Sequence, residues 1–189
     1  DTKFSGNITA QDLQLSLTNK KDLTLSTKLN IDDMNLSLNA DFKASANIKA
    51  TKLMLKLVDD TLKLSTETEI TSGHLNLGDN KMVDASPRVE LTLQLPLKDP
   101  SSMTYEGSVT VSDARVKGFP MTELVKNIEL DADFKTDAVT VNALTINALN
   151  TDLRANGTIS NFKNPLVSMS AEANDLNLSR IKEIIPSLI

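Results

Sequence analysis

The chain has 189 residues, of which 40% are hydrophobic and only 3% aromatic, with no Trp, one Tyr and a net charge of -5. That length holds one large domain or a piece of a longer array. The acidic balance, with a pI near 4.9, argues against nucleic acid as a partner, because phosphate binding needs clustered basic residues. Cysteine is absent, which excludes disulfides and thiolate metal sites and fits either the cytoplasm or a periplasm.

The first residues, DTKFSG, do not form a signal peptide and open directly on a strand pattern, as expected of a processed or excised fragment. A four-residue apolar signature follows: Ile8, Ala10, Leu13 and Leu15. Spacings of two are the period of a strand. The three-residue step in the middle requires a β-bulge or a break. The same spacing recurs at Leu29, Ile31, Met34 and Leu36, and at Ile48, Ala50, Leu53 and Leu55. It returns at Val109, Val111, Ala114 and Val116, at Val139, Val141, Leu144 and Ile146, and at Ala171, Ala173, Leu176 and Leu178.

Between these copies, strict alternation runs from Met34 to Ala50, which reads as one long strand or as a hairpin that keeps phase. A second run, Val89, Leu91, Leu93, Leu95 and Leu97, ends at Pro96 and Pro100 or lies at an edge. Polar breaks at 18–22, 59–60, 78–81, 98–102, 135–137 and 161–165 carry the Asn, Asp, Gly and Pro of hairpin loops. They divide the chain into ten to thirteen antiparallel strands. Two stretches leave this pattern. Residues 121–127 predict a helical turn or two, and 179–186 predict a short helix with Ser179 as N-cap, Ile181, Ile184 and Ile185 on one face, and Pro186 as terminator. No stretch approaches the roughly 20 apolar residues of a membrane helix, and a membrane barrel lacks its aromatic girdles.

Concentrated chemistry is missing. His74 is the only histidine, so a metal site would need carboxylates alone as its partners, and a surface or loop-edge role is expected. Asp32–Asp33 and Asp59–Asp60 read as turn residues, since neighbours on a strand point to opposite faces. No calcium loop, phosphate loop or nucleophile motif is present. An enzyme, a metal or a cofactor is not expected.

From Tyr105 the chain reads YEGSVTVSDARVKGFP, and later DAVTVNALTI, TDLRANGTISN and SAEANDLNLSRI. This resembles the C-terminal region of the AsmA-like, TamB-related envelope proteins of Gram-negative bacteria over residues 105–189. The first hundred residues share only the strand texture. The resemblance implies an all-β fold, a long antiparallel, curved (U-shaped, taco-like) sheet with a hydrophobic concave face and one or two short helices. Residues 1–104 would form one groove segment, and 105–189 a segment continuous with it. It further implies a place in the periplasm or cell envelope, with an inner-membrane anchor in the full-length protein, and movement of phospholipid between inner and outer membrane.

On that reading the lipid-lining face runs through Leu36, Leu38, Phe42, Leu91, Leu93, Leu95, Val109, Val111, Ile128, Leu130, Phe134, Val139 and Val141. Its partners would be phospholipid or another acyl-chain lipid, with flanking repeats or other envelope proteins at the sheet edges. Two alternatives stay open: a sandwich or solenoid with a dry core, and a structural subunit of a larger envelope assembly.

Overall fold

The computed structural model describes residues 2–18, 22–39, 41–78, 81–118, 125–148 and 151–174. Their strands are β1 (Lys3–Thr18), β2 (Asp22–Ser37), β3 (Lys43–Val58), β4 (Thr61–Asn76), β5 (Met82–Ala85), β6 (Arg88–Pro96), β7 (Thr104–Lys117), β8 (Val125–Lys135), β9 (Ala138–Ala148), β10 (Thr151–Ser160) and β11 (Leu166–Ala173). All belong to one antiparallel sheet in chain order, with β5 and β6 sharing the position between β4 and β7. The ladder passes through residue 104 unbroken, because β7 pairs with both β6 and β8.

The connections are short because their residues accept tight backbone geometry. Asp59 and Asp60 join β3 to β4 with φ of 45° and 60°, the doubly left-handed turn that matches strand twist and that Asp tolerates. A single 3-10 turn, Pro100–Ser102, follows β6. Pro96 ends β6 as the sequence suggests, although β6 is an interior strand rather than an edge. The long alternation from Met34 to Ala50 is a hairpin. Its tip is closed by the Leu38 N–H donating to the Phe42 carbonyl at 3.1 Å, while Asn39 Oδ1 accepts from the N–H groups of Asp41 and Phe42 at 2.9 and 2.7 Å.

Two expectations are corrected. Residues 125–127 belong to strand β8, where pairing with β9 overrides the weak helical pattern; residues 121–124 and 179–186, where a short helix is expected, lie outside the described residues. Asp32–Asp33 is not a turn. It sits within β2, where Asp33 takes φ 53° and the ladder shifts register against both β1 and β3.

That shift is the bulge required by the three-residue step. In each of five copies of the signature the ladder loses register at the step: in β1 between Gln11 and Gln14, in β2 between Ile31 and Met34, in β3 between Ala50 and Lys52, in β7 between Val111 and Ala114, and in β9 opposite Asp131 and Ala132. The sixth copy extends past residue 174, outside the described residues. A bulge that the alternation did not announce lies at Ser72 of β4, with φ 53°. Each bulge inserts one residue, so the apolar set returns to the same face after it instead of crossing to the other.

Burial is confined to small residues. The buried apolar side chains are Ala46, Ala50, Ala114, Ala132, Ala138 and Ala148, and no side chain among the described residues is completely enclosed. Ala46, Ala50, Ala114 and Ala132 each adjoin a bulge. Strands make substantial contact only with their ladder neighbours. The chain exposes 12623 Å², whereas a compact protein of 20.6 kDa exposes about 8,900 Å². A second layer that would close a sandwich is absent among the described residues.

Candidate functional site

Side chains directly opposite each other across an antiparallel ladder share a face, so the register alone assembles the surface. One transverse row reads Leu15, Leu25, Leu55, Leu64, Leu93 and Tyr105 across six strand positions. A parallel row reads Leu17, Leu23, Leu57, Leu62 and Leu95. On the far side of the bulges Ile8, Ile31, Ile48 and Ile70 line up. Every strand contributes to this one face, and the bulges keep it continuous.

Eleven of the thirteen residues expected to line a groove stand on these rows. Leu91 leads through Gly107 to Phe134 and Val139, Val109 leads through Ala132 to Val141, Val111 faces Leu130, and Ile128 faces Ala114. Leu93 and Leu95 occupy the leucine rows, and Leu36 lies between Phe4 and Ala44. Leu38 and Phe42 do not join a strand; they sit in the turn at the end of Leu36's row. The larger part of the face, on β1 to β4, was missed as site although the same alternation marks it.

Large apolar side chains on this face are half-buried or exposed. Along β1, Ile8 is 62%, Leu13 67% and Leu15 69% exposed. Polar interruptions are few. Thr27, Thr66 and Thr68 take apolar-face positions, but Thr27 Oγ1 donates to the Gln11 carbonyl at 2.8 Å, and the Thr66 and Thr68 hydroxyls lie 2.9 Å apart. Tyr105 and Phe134 have ring centroids 6.3 Å apart, within the range of aromatic pairs. They flank Gly107, where an added Cβ would overlap the Glu90 carbonyl and press on the Phe134 ring.

The opposite face is polar and carries ion pairs, three between strands (Lys28 with Asp12 at 2.7 Å, Lys52 with Glu67 at 3.5 Å, and Arg88 with Glu69) and one within β7 (Arg115 with Asp113 at 3.3 Å). These are solvated, so they set which face stays wet rather than adding much stability. His74 lies on this face within β4 rather than at a loop edge, its Nδ1 2.6 Å from Asp84 Oδ1. Shallow depressions lie here, one beside the Ser72 bulge holding Ser72, His74, Asp84 and Asp113, another holding Glu90, Glu106, Asp133 and Thr140. Of the residues expected to line a groove, Leu36, Leu91 and Phe134 touch such depressions. No group of three or more His, Asp or Glu side chains among the described residues is placed to hold a metal ion.

No family model, no curated protein and no solved structure matches the chain.

Proposed function

We propose that the chain is a segment of a bridge-like lipid-transfer protein of the Gram-negative envelope, carrying phospholipid acyl chains along the apolar face of its sheet between inner and outer membrane. The observation that carries this reading is the uncovered apolar face: it crosses all strand positions, has no second layer among the described residues, and buries no large side chain.

An aliphatic surface of this size left in water is costly. Covering it with acyl chains recovers about 0.8 kcal/mol per methylene. Because the leucine and isoleucine rows repeat the same chemistry from strand to strand, neighbouring positions hold a methylene about equally well. A lipid can therefore move along the face without crossing a deep well. The bulges support a curved sheet, since each adds bend and twist to its strand, and the small alanines beside them let the backbone fold closely there. The polar face, with its ion pairs, stays toward water.

The competing reading is a structural subunit whose apolar face is covered by another protein rather than by lipid. The exposed apolar residues favour it equally, and the ligand decides between them. Native mass spectrometry of the chain purified without detergent is expected to show phospholipid adducts that are lost on organic extraction and regained on mixing with vesicles. A lipid-free chain that vesicles do not load would overturn the lipid reading.

A further inference from the structure

We infer that the edge of β1 left unpaired among the described residues is a docking site for β11 of a second copy of the chain, so that copies join head to tail into one continuous sheet. This does not depend on the lipid reading. It rests on an internal repeat that shows what kind of strand belongs on that edge.

β1 and β3 are equivalent strands: Ile8, Ala10, Leu13 and Leu15 correspond to Ile48, Ala50, Leu53 and Leu55. β3 has a neighbour on each side in the same register. Leu55 faces Leu25 on one side and Leu64 on the other, and Ile48 faces Ile31 and Ile70. β1 meets β2 in that register too, with Leu15 on Leu25 and Ile8 on Ile31. Its other side is empty among the described residues, and the repeat fills that place with a strand of β2 type.

β11 is such a strand, and among the described residues it forms the opposite edge. Its Ala171 and Ala173 open the same signature that Leu29 and Ile31 open in β2. Aligned on them, Val167 would face Leu15, Ala171 would face Ala10, and Ala173 would face Ile8, all on the apolar side. On the polar side Thr9 would meet Glu172 and Gln11 would meet Ser170, so no like charges oppose each other. Direction also agrees. The sheet has ten antiparallel strand positions counting both edges, so β11 runs opposite to β1. A copy shifted along the sheet therefore presents β11 antiparallel to β1 with both apolar faces on the same side. Every residue of β1 and of β11 is exposed. Neither strand contains a proline, a common device by which natural edges block such pairing.

The chain has no cysteine, which permits a clean test. Thr9→Cys chains are mixed with Glu172→Cys chains under mild oxidation; both positions are exposed, and facing residues of an antiparallel pair lie within disulfide reach. The expected result is a disulfide heterodimer in at least tenfold excess over either homodimer. A parallel mixture of Thr9→Cys with Ser168→Cys, four residues out of register, should give little product. A dominant Thr9→Cys homodimer, an equal yield from the off-register pair, or no crosslink would overturn the proposal.

Discussion

β1 and β3 carry the same apolar signature, the same bulge and the same register to the strand that follows them, yet Ala50 is 5% exposed while all of β1 is exposed. What separates them is one neighbouring strand. With a single layer, a side chain is covered only by those beside it in the ladder. Burial in this molecule therefore depends on having a strand on each side as well as on a small side chain. The apolar content that elsewhere builds a closed core here builds a surface.

The largest effect that would sharpen this contrast belongs to the interior of the ladder. Gly107→Val should destabilise the chain by about 3 kcal/mol, because the added carbons collide with the Glu90 carbonyl and the Phe134 ring. A lowered guanidinium midpoint with an unchanged slope would show it; an unchanged midpoint would mean that β6 and β7 are not this closely paired. Next comes the direct comparison. Ala50→Leu should cost about 2 kcal/mol and Ala10→Leu no more than about 0.5 kcal/mol, since only Ala50 is enclosed. Equal losses would break the equivalence drawn between burial and ladder position. Smaller again is the pair Leu55→Ala and Leu15→Ala. These residues share one row, but Leu15 is 69% exposed, so about 1.5 kcal/mol is expected at the first and about 0.5 kcal/mol at the second, read from urea melts of dilute samples.

Much of this architecture was legible in the residues. Alternation marked the strands, and the step from Ala10 to Leu13 or from Val111 to Ala114 located bulges within a residue or two, because a face of aliphatics cannot tolerate a phase error. Asp32–Asp33 misled for a physical reason: Asp favours left-handed backbone both in turns and in bulges, and only the surrounding ladder decides between them. Ser72 gave no warning, since Gly73 supplies no apolar side chain to reveal the step. Leu38 and Phe42 kept phase through a hairpin tip and so looked like strand residues. The segment at 125–127 has a local pattern too short to specify helix against strand, and its pairing with Asn147 and Ala148 settles it. Which face is uncovered could not be read from alternation, because a closed sandwich would show the same pattern.

Leu93→Glu tests the central claim most directly, because Leu93 sits in the leucine row between Leu64 and Tyr105. On an uncovered face the carboxylate stays hydrated, so the melting temperature should remain within a few degrees of the parent while phospholipid adducts disappear from the native mass spectrum. In a closed core the same charge would be buried without a partner and cost several kcal/mol, about enough to unfold a domain of this size. A variant that fails to fold would contradict the open face, and one that folds and still carries lipid would contradict its role in lipid binding.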